Sequence, residues 1–182
     1  MTQTLTNPAE VLATLIRCPS VTPLEGGALT TLEAMLKPMG FAVERPIFSE
    51  DNTPDVENLY ARSSGNGPHL MFAGHTDVVP VGGEAAWTYP PFSAAIHNGE
   101  MYGRGAVDMK GGIAASIIAV EAIVGAGIPF RGALEISGTA DEESGGFGGV
   151  GYLAKRGYFS PPRVDHVIIP EPLNPDRVCL GH

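Results

Sequence analysis

His69-Leu70-Met71-Phe72-Ala73-Gly74-His75-Thr76-Asp77 reads as a strongly apolar strand running into a turn, and its end places a histidine and a carboxylate two positions apart. The turn is required because Gly74 is permissive and Pro80 cannot continue a central strand. Residues i and i+2 of a strand share a face, so His75 and Asp77 can touch. A carboxylate on the far nitrogen of a metal-bound imidazole fixes its tautomer and raises its basicity. Read alone, the four residues Gly74 to Asp77 also describe an ordinary hydrogen-bonded loop pair.

Outward from this strand the chain alternates helices and strands. Asn7-Pro8-Ala9-Glu10 predicts a helix start, with an Asn cap and Pro at the first helical position, ending before Pro19. A second helix is expected over Gly27 to Met39, stopped by Gly40. Strands are expected at Phe41 to Phe48, Asn58 to Arg62, Ala133 to Gly138 and Val164 to Ile169, with a hairpin turning at Asn98-Gly99. Lys110 to Val124 is apolar or small almost all round, as suits a helix buried between layers. Val150 to Arg156 predicts a short helix, and Arg177 to His182 resembles the opening of a strand that stops, as in a truncated chain. The pattern predicts an α/β three-layer sandwich, a largely parallel twisted sheet covered by helices.

The whole chain of 182 residues suits one domain or a large piece of a bigger protein. Its net charge of -9 repels phosphate backbones and anionic membranes, which argues against nucleic-acid and membrane partners. Two cysteines, Cys18 and Cys179, make no disulfide framework, and Met1 to Asn7 lacks the basic and apolar regions of a signal peptide. The expected location is cytoplasmic.

In an open α/β sheet ligands collect beyond the carboxyl ends of the strands, and four sets of polar residues fall there. They are His75 with Asp77, Asp108 before the buried helix, Asp141-Glu142-Glu143 after the strand ending near Thr139, and Glu171 after Ile168-Ile169-Pro170. Each has a bland alternative: Asp108 can cap its helix, the three acids can form a solvated turn, and Glu171 can lie on a surface loop. Together they suit a pair of divalent ions about 3.5 to 4 Å apart, the clamp of aminopeptidases and related hydrolases. Adjacent Glu142 and Glu143 can divide two jobs, one binding metal and the other acting as base.

The strings GHTDVVP, YGRGAVDMKGG, GTADEES and PEP resemble the M20 family of zinc metallopeptidases, over nearly the whole chain. Within it the likeness is to the succinyl-diaminopimelate desuccinylase and acetylornithine deacetylase branches, with FSEDNTPDVENLYAR and WTYPPFSAAIHNGEMYGRG favouring the former. The resemblance implies hydrolysis of an N-acyl amino acid by two Zn2+ ions, with Co2+ as a substitute. It implies His75 and Glu171 as ligands of one zinc, Asp108 as the bridge, Glu143 on the second zinc, Asp77 orienting His75, and Glu142 as general base. It also implies a cis peptide at Asp108-Met109, and a homodimer for the full-length form. Residues 1–182 would then be the N-terminal segment of the catalytic domain, without the lid or dimerisation domain and the C-terminal segment. The family's last histidine ligand has no counterpart, His182 is not assigned to metal, and Ser144-Gly145-Gly146-Phe147-Gly148-Gly149 departs from the desuccinylase loop.

Rival readings are another N-acyl amino acid hydrolase or carboxypeptidase of the same family, a non-catalytic binding module, and a nucleotide binder, the last opposed by the lack of GxGxxG after the first strand. Trp87, Tyr89 and Phe92 can either wall a pocket or anchor their proline-rich loop. Lys110 at a helix N-terminus can meet a substrate carboxylate or simply begin the helix, and Arg104 has the same two readings.

Overall fold

The computed structural model describes residues 7–129, 131–161 and 163–173. Helix α1 (Pro8–Ile16) starts where Asn7 Oδ1 accepts from the Ala9 N–H, and α2 (Ala28–Leu36) tightens into a last 3₁₀ turn that ends at Gly40. Strands β1 (Ala42–Glu44) and β2 (Ile47–Phe48) divide the predicted single strand Phe41 to Phe48, because Pro46 between them has no N–H to give a ladder. Then come β3 (Val56–Glu57), β4 (Leu59–Arg62), β5 (His69–His75) and the hairpin β6 (Ala95–His97) and β7 (Glu100–Tyr102). Helix α3 (Gly111–Gly125), β8 (Ala133–Thr139), α4 (Val150–Lys155) and β9 (His166–Ile168) complete the order. The expected strand over Arg177 to His182 lies outside the described residues.

The main sheet runs β1-β4-β8-β5-β9. It is mixed rather than largely parallel: β5 pairs in parallel with β8 and β9, whereas β1–β4 and β4–β8 are antiparallel. β8 inserts between β4 and β5, antiparallel to the first and parallel to the second, so the sheet changes from antiparallel to parallel at β8. Alternation along the strands sorts the core into two layers. Leu59, Ala61, Leu134 and Ile136 pack with Leu15, Leu29, Leu32, Met109, Ile113 and Ile117 of the α1, α2 and α3 side. Tyr60 and Met71 point the other way, onto Leu153 of α4, Tyr158 and Val164. Helices thus cover both faces. Among the described residues no helix is long and apolar enough to cross a membrane.

Candidate metal centre

Parallel pairing puts His75 opposite Thr139, so β5 and β8 end on the same rung and their following loops leave side by side. The Thr76 N–H and Oγ1 both donate to the Thr139 carbonyl, at 2.8 and 3.1 Å, stapling the two exits. Ser20 Oγ donates to the Thr76 carbonyl at 2.6 Å and the Val78 N–H to the Ser20 carbonyl at 2.9 Å, which ties the segment after α1 to the same turn. These bonds hold the chain after His75 flat against the sheet end.

His75 is almost fully buried, and its Nδ1 donates to the Asp77 carbonyl at 3.0 Å. A carbonyl can only accept, so Nδ1 carries the hydrogen and Nε2 faces the acids. Around Nε2 lie Asp108 Oδ1 at 3.1 Å, Glu171 Oε1 at 3.5 Å and Glu142 Oε2 at 3.7 Å. One ligand atom each from His75, Asp108 and Glu143 falls within 4.8 Å of the others. The six residues to which the resemblance assigns roles therefore gather at one place.

Asp77 plays a wider part than its spacing from His75 suggests. Its carboxylate lies 3.4 Å from His75 Nδ1, farther than its own backbone carbonyl, and accepts the backbone N–H groups of Glu142 at 3.3 Å and Glu143 at 3.1 Å. It is fully buried. Asp77 thus joins the β5 exit to the acid loop. Asp141 organises that loop from within, accepting from Ser144 Oγ and from the Gly148 N–H at 2.8 Å, while Asn58 Nδ2 donates to the Gly148 carbonyl at 2.9 Å. Sequence reading missed Ser20 and Asn58 as supports; their only signal is a small polar residue in an otherwise apolar neighbourhood.

Asp108 and Met109 are joined by a cis peptide, as the resemblance implies. Met109 is buried and its Sδ accepts the His75 N–H at 3.2 Å. Glu171 is set by a close approach: a Cβ on Gly112 would stand 2.3 Å from the Pro170 carbonyl oxygen. Only glycine lets the start of α3 pass beneath the Pro170–Glu171 loop.

The charges explain what the cluster can hold. Burial alone would lower the His75 imidazole, but the Asp77 side chain and carbonyl, helped by Glu171, raise it to about 9. Burial, then the Asp108 carboxylate, pushes the Glu143 carboxyl above its ordinary value; burial also raises Glu171, against the opposing pull of His75. The carboxylates outnumber the one imidazole that offsets them, and an N/O donor set of this kind suits a borderline divalent ion such as zinc. The residues present fit such a metal.

Lys110 turns its ammonium group inward, to the segment after α1. It is fully buried, donates to the Cys18 carbonyl at 2.9 Å, and burial lowers it to about 8. Beside Asp108 and Glu143 opens a cavity of about 660 Å³ whose wall includes Trp87, Tyr89, Tyr102 and Arg104. Trp87 and Tyr89 therefore line a pocket, whereas Phe92 does not appear in its wall.

Residues 71–180 match the peptidase family M20/M25/M40. Among solved structures the chain resembles human carnosine dipeptidase 1 (TM-score 0.78, 20% identity), covering 89% of this chain and 38% of that one. It also resembles the dipeptidase Dug1p of Saccharomyces cerevisiae (0.70, 22%, 89% and 37%) and the M20 family metallo-carboxypeptidase Sso-CP2 of Sulfolobus solfataricus (0.73, 23%, 90% and 37%). At these identities the likeness is one of fold, and this chain spans under two-fifths of the length of each. With a matched stretch covering more than half its residues, the chain belongs to peptidase family M20/M25/M40.

Proposed function

We propose that the acid cluster holds a pair of Zn2+ ions and serves metal-dependent hydrolysis of the amide bond of an N-acyl amino acid, of the succinyl-diaminopimelate desuccinylase type. The observation that carries this is the gathering of His75, Asp108, Glu142, Glu143 and Glu171 at one sheet end. His75 and Glu171 would hold one ion, Glu143 the other, and Asp108 both. Bound zinc supplies Lewis acidity toward a carbonyl oxygen and toward water. Asp77 fixes the imidazole and the backbone of the acid loop. Glu142, about half exposed beside His75 Nε2, takes a proton on its carboxylate from the attacking water and returns it to the leaving amine.

On this reading residues 1–182 form the first segment of a longer catalytic unit that works as a cytoplasmic homodimer. Dipeptide hydrolysis is a second reading, supported by the activities named for the human and yeast neighbours. Replacing Glu142 with Ala in the longest form of the enzyme should lower turnover by about 10²- to 10⁴-fold while zinc content stays constant. Loss of zinc together with activity would move Glu142 into the ligand set. A panel of N-succinyl and N-acetyl amino acids and dipeptides separates the two substrate readings.

A further inference from the structure

We propose that Arg104 is the specificity-determining residue of the cavity beside the acid cluster, where its guanidinium binds a carboxylate of the substrate. The inference rests on the amide-hydrolase reading and names the class of compound that the site accepts. Among the residues lining the cavity Arg104 is the one cation, in a chain of net charge -9, and it shares the wall with Asp108 and Glu143. No carboxylate among the described residues pairs with it. Arg45, by contrast, is held among Glu25, Glu33 and Glu57. The Arg104 Nε is shielded from solvent with no acceptor, although buried polar groups are ordinarily satisfied.

The side chain is also held for the task. The Arg104 backbone N–H donates to the Pro91 carbonyl at 2.7 Å, fixing where the side chain starts, and the guanidinium carbon lies 4.9 Å from the centre of the Trp87 ring. Trp87 is itself fixed, donating from Nε1 to the Val81 carbonyl at 2.9 Å. A guanidinium over an indole is steadied by cation–π attraction, and its planar N–H fork matches a carboxylate with two parallel hydrogen bonds. The acids of the cluster and this fork therefore sit on one cavity wall. An acyl amino acid offers a carboxylate from either of two sources, the far end of a succinyl group or the α-carboxylate of the amino acid, and Arg104 answers to their common chemistry.

Trp87 is the sole tryptophan, so its fluorescence reports on Arg104 directly. The chain, with and without added zinc, is titrated with N-methylsuccinamate (carboxylate on the acyl side), N-acetylglycine (carboxylate on the amine side) and N-methylacetamide (none). At least one of the two acids should change Trp87 emission saturably, and the one that does identifies the source. Arg104→Gln should weaken that acid by about tenfold or more without altering the response to N-methylacetamide, and Arg104→Lys should fall between, since it keeps charge and loses the fork. If Arg104→Gln fails to keep the parent circular dichroism, Arg104→Lys decides. The inference is overturned if neither acid is bound, or if the folded variant binds both acids as the parent does. Zinc bound per chain, measured in parallel, tests the metal reading separately, because the dependence on Arg104 is scored whether or not zinc is retained.

Discussion

Replacing Asp77 with Asn changes one buried oxygen into an NH2 group and leaves volume and shape alone. In the parent both carboxylate oxygens accept backbone N–H groups, from Glu142 at 3.3 Å and from Glu143 at 3.1 Å. The amide keeps one acceptor and turns a donor toward the other N–H. A hydrogen bond to a charged partner contributes about 1.5–3 kcal/mol, so the loss falls in that range and on the loop that carries Glu143. At 1.4 kcal/mol per decade this corresponds to roughly a 10- to 100-fold loss of zinc affinity, the range seen when outer partners of metal ligands are changed. Competition for zinc against a chromophoric chelator measures it, with a thermal melt to show that the variant is folded. A folded Asp77→Asn protein with the parent's zinc affinity would refute the idea that Asp77 holds the acid loop in ligating position.

Gly112→Ala should destabilise by about 1–3 kcal/mol despite the better helix propensity of Ala, because its Cβ meets the Pro170 backbone; Gly125→Ala, in open space at the end of the same helix, should be neutral or stabilising by denaturant titration. Equal effects at the two positions would remove the close approach as the cause. Glu135 supplies a pH dependence away from the acid cluster. Fully buried in β8, it lies 3.2 Å from His69 Nδ1 and 3.5 Å from Arg62 Nε, yet neither oxygen receives a hydrogen bond with proper geometry, and burial pushes its carboxyl above 4.5. The folded state then holds this proton more tightly than the unfolded chain, so its contribution is greatest below pH 4.5 and is lost as pH rises through the raised value. Glu135→Gln should flatten that decline in melting temperature measured upward from pH 4.5, and an unchanged slope would assign it to other groups.

The parts of the fold written in local pattern were legible in advance. The Asn7 cap, the apolar run of β5, the Asn98-Gly99 turn and the uniformly apolar α3 each announce themselves within a few residues. The acids at strand ends were legible for the same reason, since a strand followed by a carboxylate is a local signal. Sheet order was not, because nothing near β4 or β5 tells that β8 will separate them. The supports of the site were equally hidden: Ser20 acts on Thr76 across 56 residues and Asn58 on Gly148 across 90. Pro46 is visible in the sequence, yet the alternation of Phe41 to Phe48 predicts one strand; the missing N–H of Pro46 is what splits it into β1 and β2.

The shared rung of His75 and Thr139 also sets where this fold can change length. One residue inserted or deleted within β5 would turn His75 to the opposite face, where Met109 and Ile113 already fill the space beside Gly74. Two would restore the face but advance the imidazole by about 7 Å, out of reach of Asp108. The turn before β5 has little slack, since a Cβ on Gly65 would stand 1.9 Å from the Gly132 carbonyl oxygen. Gly82 and Gly83 are exposed, a Cβ added at either would meet no atom within 4 Å, and they lie just before Trp87 on the cavity wall. Insertions and deletions there would remodel the rim of the pocket while leaving every acid in register, so the opening of the cavity can change independently of the acid cluster.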